Sequence, residues 1–314
     1  MTHDLAFLGM SHTPLYGLNP VAPEVEAGLK QALADARAAV HAWQPDRVVL
    51  IGADHYNGFF NELMPPFCIG TNATAVGDYL TPAGPLNVAA DAALALVTHL
   101  MDENFDIAVS RRMQVDHGFA QSLQFLWGGL DTPPVIPLFV NAVAPPTIPR
   151  LSRCRDLGAS IGRFLEKLPG RTLLIGSGGL SHEPPVPTLQ HPDPAVRERI
   201  TRKQESTPQE RQAKTARVMA AGMALAARDP AFKPLNPEWD AVWMDAIQQG
   251  ELDTLLNRSE DSIAFEAGLS AHESKSWLIA RAALPARPLA DGVRFYRAIP
   301  EYMAGFGLLF GEPA

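Results

Sequence analysis

The chain has 314 residues, 46% hydrophobic and 19% charged, with a formal net charge of −8. That balance fits a globular protein with a large core and argues against a nucleic-acid binder, which needs a basic patch to neutralise phosphates. Two cysteines, Cys68 and Cys154, make neither a disulfide framework nor a thiolate metal site.

"MTHDLAFLGM" lacks a basic, apolar leader, and no apolar run reaches spanning length, so a cytoplasmic protein with no membrane partner is expected. Residues 5–9 read as a strand. Residues 24–43 read as a helix with Val25, Leu29, Ala32, Ala36, Val40 and Trp43 on one face. Residues 47–52 are a continuous apolar run of the kind buried on both faces. Residues 55–85 form a long stretch rich in Gly, Pro and Asn, either a pocket-shaping loop or a hairpin covering a sheet edge. A helix over 89–103, a strand over 106–110, a helix over 118–127 and a strand over 135–140 follow. A helix over 150–168 has Leu151, Leu157, Ile161, Phe164, Leu165 and Leu168 mostly on one side, and a strand covers 171–175. Residues 182–194 are a proline-rich loop. Helical, charged sequence then runs to about residue 277, broken at "PLNPEWD" and "EDS"; within it "RERITRKQ" reads as a solvated helix face. A strand pair at 293–298 and 304–310 closes the chain. The alternation predicts one α/β domain over residues 1–314, a central, mostly parallel or mixed sheet flanked by helices with a more helical C-terminal portion.

His12, His55 and His182 each follow a strand by a few residues, and His117 opens a helix after another. In open α/β sheets the site lies beyond the carboxyl ends of the strands, so these four imidazoles should meet at one edge. His3, His41, His99, His191 and His272 carry no such placement, and His41 and His99 read as surface positions on helices. With no thiolate and no i, i+4 pair of histidines, metal ligands would have to be imidazole plus carboxylate. Two histidines and one carboxylate on one face of an ion suit non-haem Fe(II) and leave positions open for a chelating substrate and O₂. The same donors also suit Zn²⁺ hydrolysis, so ligand chemistry alone leaves both open. Asp54, Asp116 and Glu183 each adjoin a histidine; neighbouring residues on an extended segment point apart, which favours a supporting role. Glu273, in "AGLSAHESKSWL", sits in the first turn of an expected helix, where residue type alone suggests dipole stabilisation.

"SHTP" (11–14), "DHYNGFF" (54–60), "MQVDHGFAQ" (113–121), "GSGGLSH" (176–182) and "AHESKSW" (271–277) together resemble the class III extradiol ring-cleavage dioxygenases, in order and over nearly the whole chain. The resemblance implies an α/β homo-oligomer that opens a 3-substituted catechol with O₂. It implies Fe(II), with Mn(II) the alternative, held by His12, His55 and Glu273. It implies His182 as the proton-accepting base and His117 as the proton donor. For a propionate-type tail on the catechol, Arg111, Arg112 and Arg294 are anchors by charge only. A metallohydrolase and a non-catalytic relative of the fold are the rival expectations.

Overall fold

The computed structural model describes residues 4–204 and 207–314; His3 lies outside the described residues. In chain order the elements are β1 (Leu5–Met10), α1 (Pro23–Trp43), β2 (Arg47–Gly52), β3 (Phe67–Gly70), β4 (Ala73–Val76), β5 (Ala83–Pro85), α2 (Ala90–Asp102), β6 (Ala108–Ser110), β7 (Met113–Val115), α3 (His117–Trp127), β8 (Val135–Val140), α4 (Leu151–Leu165) and β9 (Thr172–Ser177). The C-terminal portion holds α5 (Pro194–Thr201), α6 (Pro208–Ala226), α7 (Pro237–Gln249), α8 (Glu260–Ala267), a 3₁₀ segment (Leu269–Ser274), α9 (Lys275–Ala282), β10 (Val293–Ile299) and β11 (Ala304–Gly311).

The main sheet has the order β10-β11-β1-β9-β2-β8-β3-β6. Its centre, β1-β9-β2-β8, is parallel, while β10, β11 and β3 run antiparallel to their inner neighbours. The expected mixed α/β sheet flanked by helices is therefore observed. Side chains of alternate residues divide the core in two. Phe7, Val49 and Ile51 face α2, α4, α7 and α9, whereas Ala6, Leu8, Val48 and Leu50 face α1, α3 and the end of α6. Burial on both faces explains why these strands are unbroken apolar runs, each large side chain contributing about 1.5–3 kcal/mol.

The stretch at 55–85 combines the two expectations, an antiparallel strand pair and residues that line a cavity, and adds a strand to the main sheet. It holds β3, which enters the main sheet between β8 and β6, and β4 and β5, which join β7 in a small separate sheet. These runs of three or four residues are too short to display period-two alternation. The strand expected over 106–110 shortens to β6. The expected break at "EDS" is instead the start of α8, where Ser259 Oγ accepts from Ser262 N at 3.1 Å and the acids occupy the first turn.

Candidate active site

Strands β1, β9 and β2 are parallel neighbours, so their carboxyl ends share one edge, and His12, His182 and His55 lie just beyond them. His117 reaches the same place as the first residue of α3, whose N-cap is Asp116. The four rings are held alike. His12 Nδ1 lies 3.0 Å from Ser177 Oγ, which donates its own proton to the Gly118 carbonyl at 2.6 Å and so accepts from the ring. His55 Nδ1 lies 3.1 Å from Asp116 Oδ2, His117 Nδ1 2.6 Å from Asp78 Oδ2, and His182 Nδ1 2.8 Å from the Leu180 carbonyl. Each partner accepts, so every ring carries its proton on Nδ1 and presents Nε2 to the centre.

The Nε2 atoms of His12, His55 and His182 converge on Glu273. Its Oε1 is 2.9 Å from His55 Nε2 and 3.3 Å from His182 Nε2, and its Oε2 is 3.2 Å from His12 Nε2. Gly179 N donates to Oε2 at 3.0 Å, fixing the carboxylate plane. The His55 and His117 rings stack at 4.5 Å, and nitrogens of His12, His55 and His117 lie within 4.8 Å of one another. At such distances a bare nitrogen and a carboxylate oxygen repel unless a proton or metal cation lies between them. Burial pushes the His12 imidazole down to about 3 despite Glu273. Burial would lower His55 too, but Asp116 and Glu273 raise it well above the usual value. Burial would raise Glu273, but the charges of His182 and His12 hold it well below the usual carboxylate range.

Glu273 stands in the 3₁₀ segment before α9, not in the first turn of a helix as its cap-like neighbours suggested. The "GSGG" run explains its approach. A Cβ on Gly176 would lie 2.6 Å from Trp277 Cα, and one on Gly178 would lie 2.5 Å from the Glu273 carbonyl oxygen. Two missing side chains therefore let residues 273–277 rest against the end of β9. Trp277 locks the contact: its fully buried indole donates to the Gly178 carbonyl at 3.0 Å.

Asp54 and Asp116 support the site from below. Asp116 Oδ2 accepts from His55 N at 2.8 Å and Asn57 Nδ2 at 2.8 Å, besides the His55 ring. Asp54 accepts from the amides of Asn57, Gly58 and Phe59 and shapes the turn after His55. Glu183 turns away to accept from Leu269 N. Asp78 was not anticipated; it stands in the long 55–85 stretch with no motif to mark it, next to Tyr79, whose ring meets His117 at 5.1 Å. Asp240, likewise unmarked, accepts from Ser181 N and Oγ, both at 2.7 Å, and steadies the segment carrying His182.

The four histidines, Glu273 and Asp78 form the floor of a cavity of about 1260 Å³ walled by Tyr56, Phe60, Tyr79 and Tyr302 and covered by the proline-rich loop, α5 and α6. Arg111, Arg112 and Arg294 do not line it. Arg111 and Arg112 are exposed in the turn between β6 and β7, and Arg294, on the outermost strand, pairs with Asp245 at 2.6 Å. The cavity's cations come from α5, α6 and the segment between them.

Residues 6–307 match the family model described as the catalytic LigB subunit of aromatic ring-opening dioxygenase. The chain belongs to this family. A 2,3-dihydroxyphenylpropionate/2,3-dihydroxicinnamic acid 1,2-dioxygenase from Comamonas testosteroni is 66% identical over 307 residues, covering 97% of this chain and 96% of that one. Relatives of the same description from Paraburkholderia phymatum and Xanthobacter autotrophicus are 47% and 45% identical, each covering at least 95% of both chains. For the ring-opening dioxygenase family a metal at this centre is expected, and the donors fit one. His12 Nε2 is buried without a hydrogen-bond partner; its 3.2 Å approach to Glu273 Oε2 is not aligned as a hydrogen bond. Two imidazole nitrogens and one carboxylate facing a common point are the donor set of a non-haem divalent site.

Proposed function

We propose that the chain is an Fe(II)-dependent extradiol dioxygenase that cleaves 3-(2,3-dihydroxyphenyl)propionate, and its cinnamate analogue, to 2-hydroxy-6-oxonona-2,4-dienedioate for the propionate. Both atoms of O₂ enter the product. The observation that carries this is the convergence of the Nε2 atoms of His12, His55 and His182 on one buried carboxylate, with the His117 ring stacked beside His55, at the floor of an aromatic-walled cavity, in a chain 66% identical to an enzyme of that description.

His12, His55 and Glu273 would hold the metal. Glu273 is the better third ligand than His117 because its two oxygens already touch the Nε2 atoms of both His12 and His55, and its charge offsets that of a divalent ion. When bound, Fe(II) supplies a single centre for the catechol oxygens and O₂. His182 Nε2 accepts the phenolic proton, as its Nδ1 is already bound to the Leu180 carbonyl and only Nε2 is available. His117 in its doubly protonated form gives its Nε2 proton to the oxygen that leaves as the ring opens, while Asp78 holds its Nδ1–H and steadies the ring. Tyr56, Phe60 and Tyr79 give the flat ring apolar walls and keep water from it.

The one-domain reading of 1–314 is supported by the pairing of β1 with β11, near opposite ends of the chain. The homo-oligomer rests on the family resemblance. Among the described residues no helix is long and apolar enough to cross a membrane. The test is anaerobic reconstitution with Fe(II), addition of 2,3-dihydroxyphenylpropionate, and admission of air. One O₂ consumed per substrate with a yellow product is expected. Iron-loaded protein that consumes no O₂ with any 3-substituted catechol would overturn the assignment.

A further inference from the structure

The cavity has a charge opposite to that of the chain. The protein carries −8 overall, yet Arg199, Lys203, Arg211, Lys214 and Arg217 all line this one cavity. Of the acids lining it, Glu273 and Asp78 are engaged by histidines, and Glu210 is taken up in the capping box of α6, accepting from Thr207 N at 2.8 Å. A cavity so lined concentrates small anions.

The five cations are not equivalent. Lys203 bonds to Gln114, Arg199 lies in the field of Glu210, and Arg211 has a partner of its own. Lys214 and Arg217, by contrast, have no side-chain hydrogen bond or ion pair among the described residues. They lie one turn apart on α6 and with Val218 form the stripe that faces the cavity. Arg217 and Tyr79 line the same cavity. The charge of Arg217 is felt at the Tyr79 hydroxyl, which burial and Asp78 push up and Arg217 pulls back, and Tyr79 packs on His117.

The helix is positioned from its other half. Asn19 Nδ2 donates to the Met219 carbonyl at 3.0 Å and the Glu301 carbonyl at 2.8 Å, and a Cβ on Gly222 would lie 2.3 Å from Glu301 O. Ala221 and Leu225 are buried beside them. Residues 214–218 thus overhang the cavity on a helix held firmly one turn further on.

We propose that Arg217, assisted by Lys214, binds the carboxylate of the substrate side chain. The inference rests on the ring-cleavage reading above and adds the group that selects an acidic tail. A guanidinium meets a carboxylate through two parallel hydrogen bonds, and a carboxylate drawn into an aromatic-walled cavity needs such a partner. With the diol at the histidines, the tail extends along the Tyr79 wall toward α6.

The experiment compares 2,3-dihydroxyphenylpropionate with 3-propylcatechol, which has a neutral tail of similar length. Wild-type protein should prefer the acid. Arg217→Ala should lower kcat/KM for the acid by about 10- to 100-fold, chiefly through KM, and leave 3-propylcatechol within about twofold. Lys214→Ala should give a smaller loss, and Arg217→Lys should recover part of the activity. Added salt should raise KM for the acid alone. Equal loss of both substrates, or loss of neither, overturns the anchor while ring cleavage stands. Failure of wild-type, iron-loaded protein to cleave either compound overturns the ring-cleavage reading instead.

Discussion

Replacing Gly178 by Ala tests whether a glycine holds the proposed carboxylate ligand in place. The added methyl would lie 2.5 Å from the Glu273 carbonyl oxygen and 2.8 Å from its carbonyl carbon and Cβ. Two of these atoms are backbone, so no rotamer change relieves the clash. Ordinary contact begins near 3.4 Å, and the segment must retreat by about 0.9 Å. Overpacking of this kind costs about 1–3 kcal/mol, which a chain of this size should survive as a folded protein. The effect on the site is larger, because metal–ligand distances are held within about 0.2 Å and a shift near 1 Å is costly to function. Gly178→Ala should therefore bind Fe(II) about 10- to 100-fold more weakly, with turnover falling to match. Chelator competition on the anaerobically loaded protein measures the affinity, and a thermal melt reports folding. Gly129→Ala is the control, since a Cβ there meets nothing within 4 Å, and it should change neither. Wild-type iron affinity in a folded Gly178→Ala protein would refute the reasoning that this approach positions Glu273.

Glu273→Ala should lose iron, whereas His182→Ala should retain iron and lose turnover; metal analysis beside oxygen uptake separates the two, and normal iron in the Glu273 variant would sink that ligand assignment. Asp116→Asn must turn an amide donor toward His55 N, the His55 ring and Asn57 or toward Gly118 N, so iron affinity should fall about 10- to 100-fold, measured by the same competition. Far from the site, Arg163 and Ser160 of α4 hold Glu103 at the end of α2 down to about 2. A carboxyl held low in the folded state adds stability above its ordinary value near 4.5, and that stability is lost as pH falls toward 2. Denaturant melts of Glu103→Gln should therefore show a deficit at pH 6 that closes by pH 2, and a deficit constant across that range would contradict the linkage.

Much of the fold was legible because its signals are local and long. The strands β1, β2, β8 and β9 are apolar runs of six residues, and α1 shows its buried face at Leu29, Ala32, Ala36 and Val40. What escaped is short or non-local. The strand β3 pairs in register with β8 through Phe67 opposite Val140, a contact that nothing within either segment announces. The four histidines were legible as a group because three follow β-strands that turned out to be parallel neighbours and the fourth opens α3. Their orientation was not, because Ser177, Asp78 and the Leu180 carbonyl act on rings they do not flank, or through backbone groups without a sequence signature.

Glu273 shows where such information resides. Its own surroundings, a glycine and a serine before a helix, describe a helix start and nothing more, and on that evidence its charge would serve the dipole. The evidence for its role lies almost a hundred residues earlier, in Gly176 and Gly178, where side chains are missing because the segment bearing Glu273 occupies their space. The same holds for the cations. Arg294, conspicuous beside the last strand, is satisfied by Asp245 at the rim of the sheet, while Arg217, one arginine among several on a charged helix, is brought over the cavity by Asn19 and Gly222. In both cases the proposed role falls to a charged residue, but small or neutral residues elsewhere determine which charged residue is placed for it. Substitutions at Gly178, Gly222 and Asn19 should therefore move metal affinity and tail selectivity without altering a single charge.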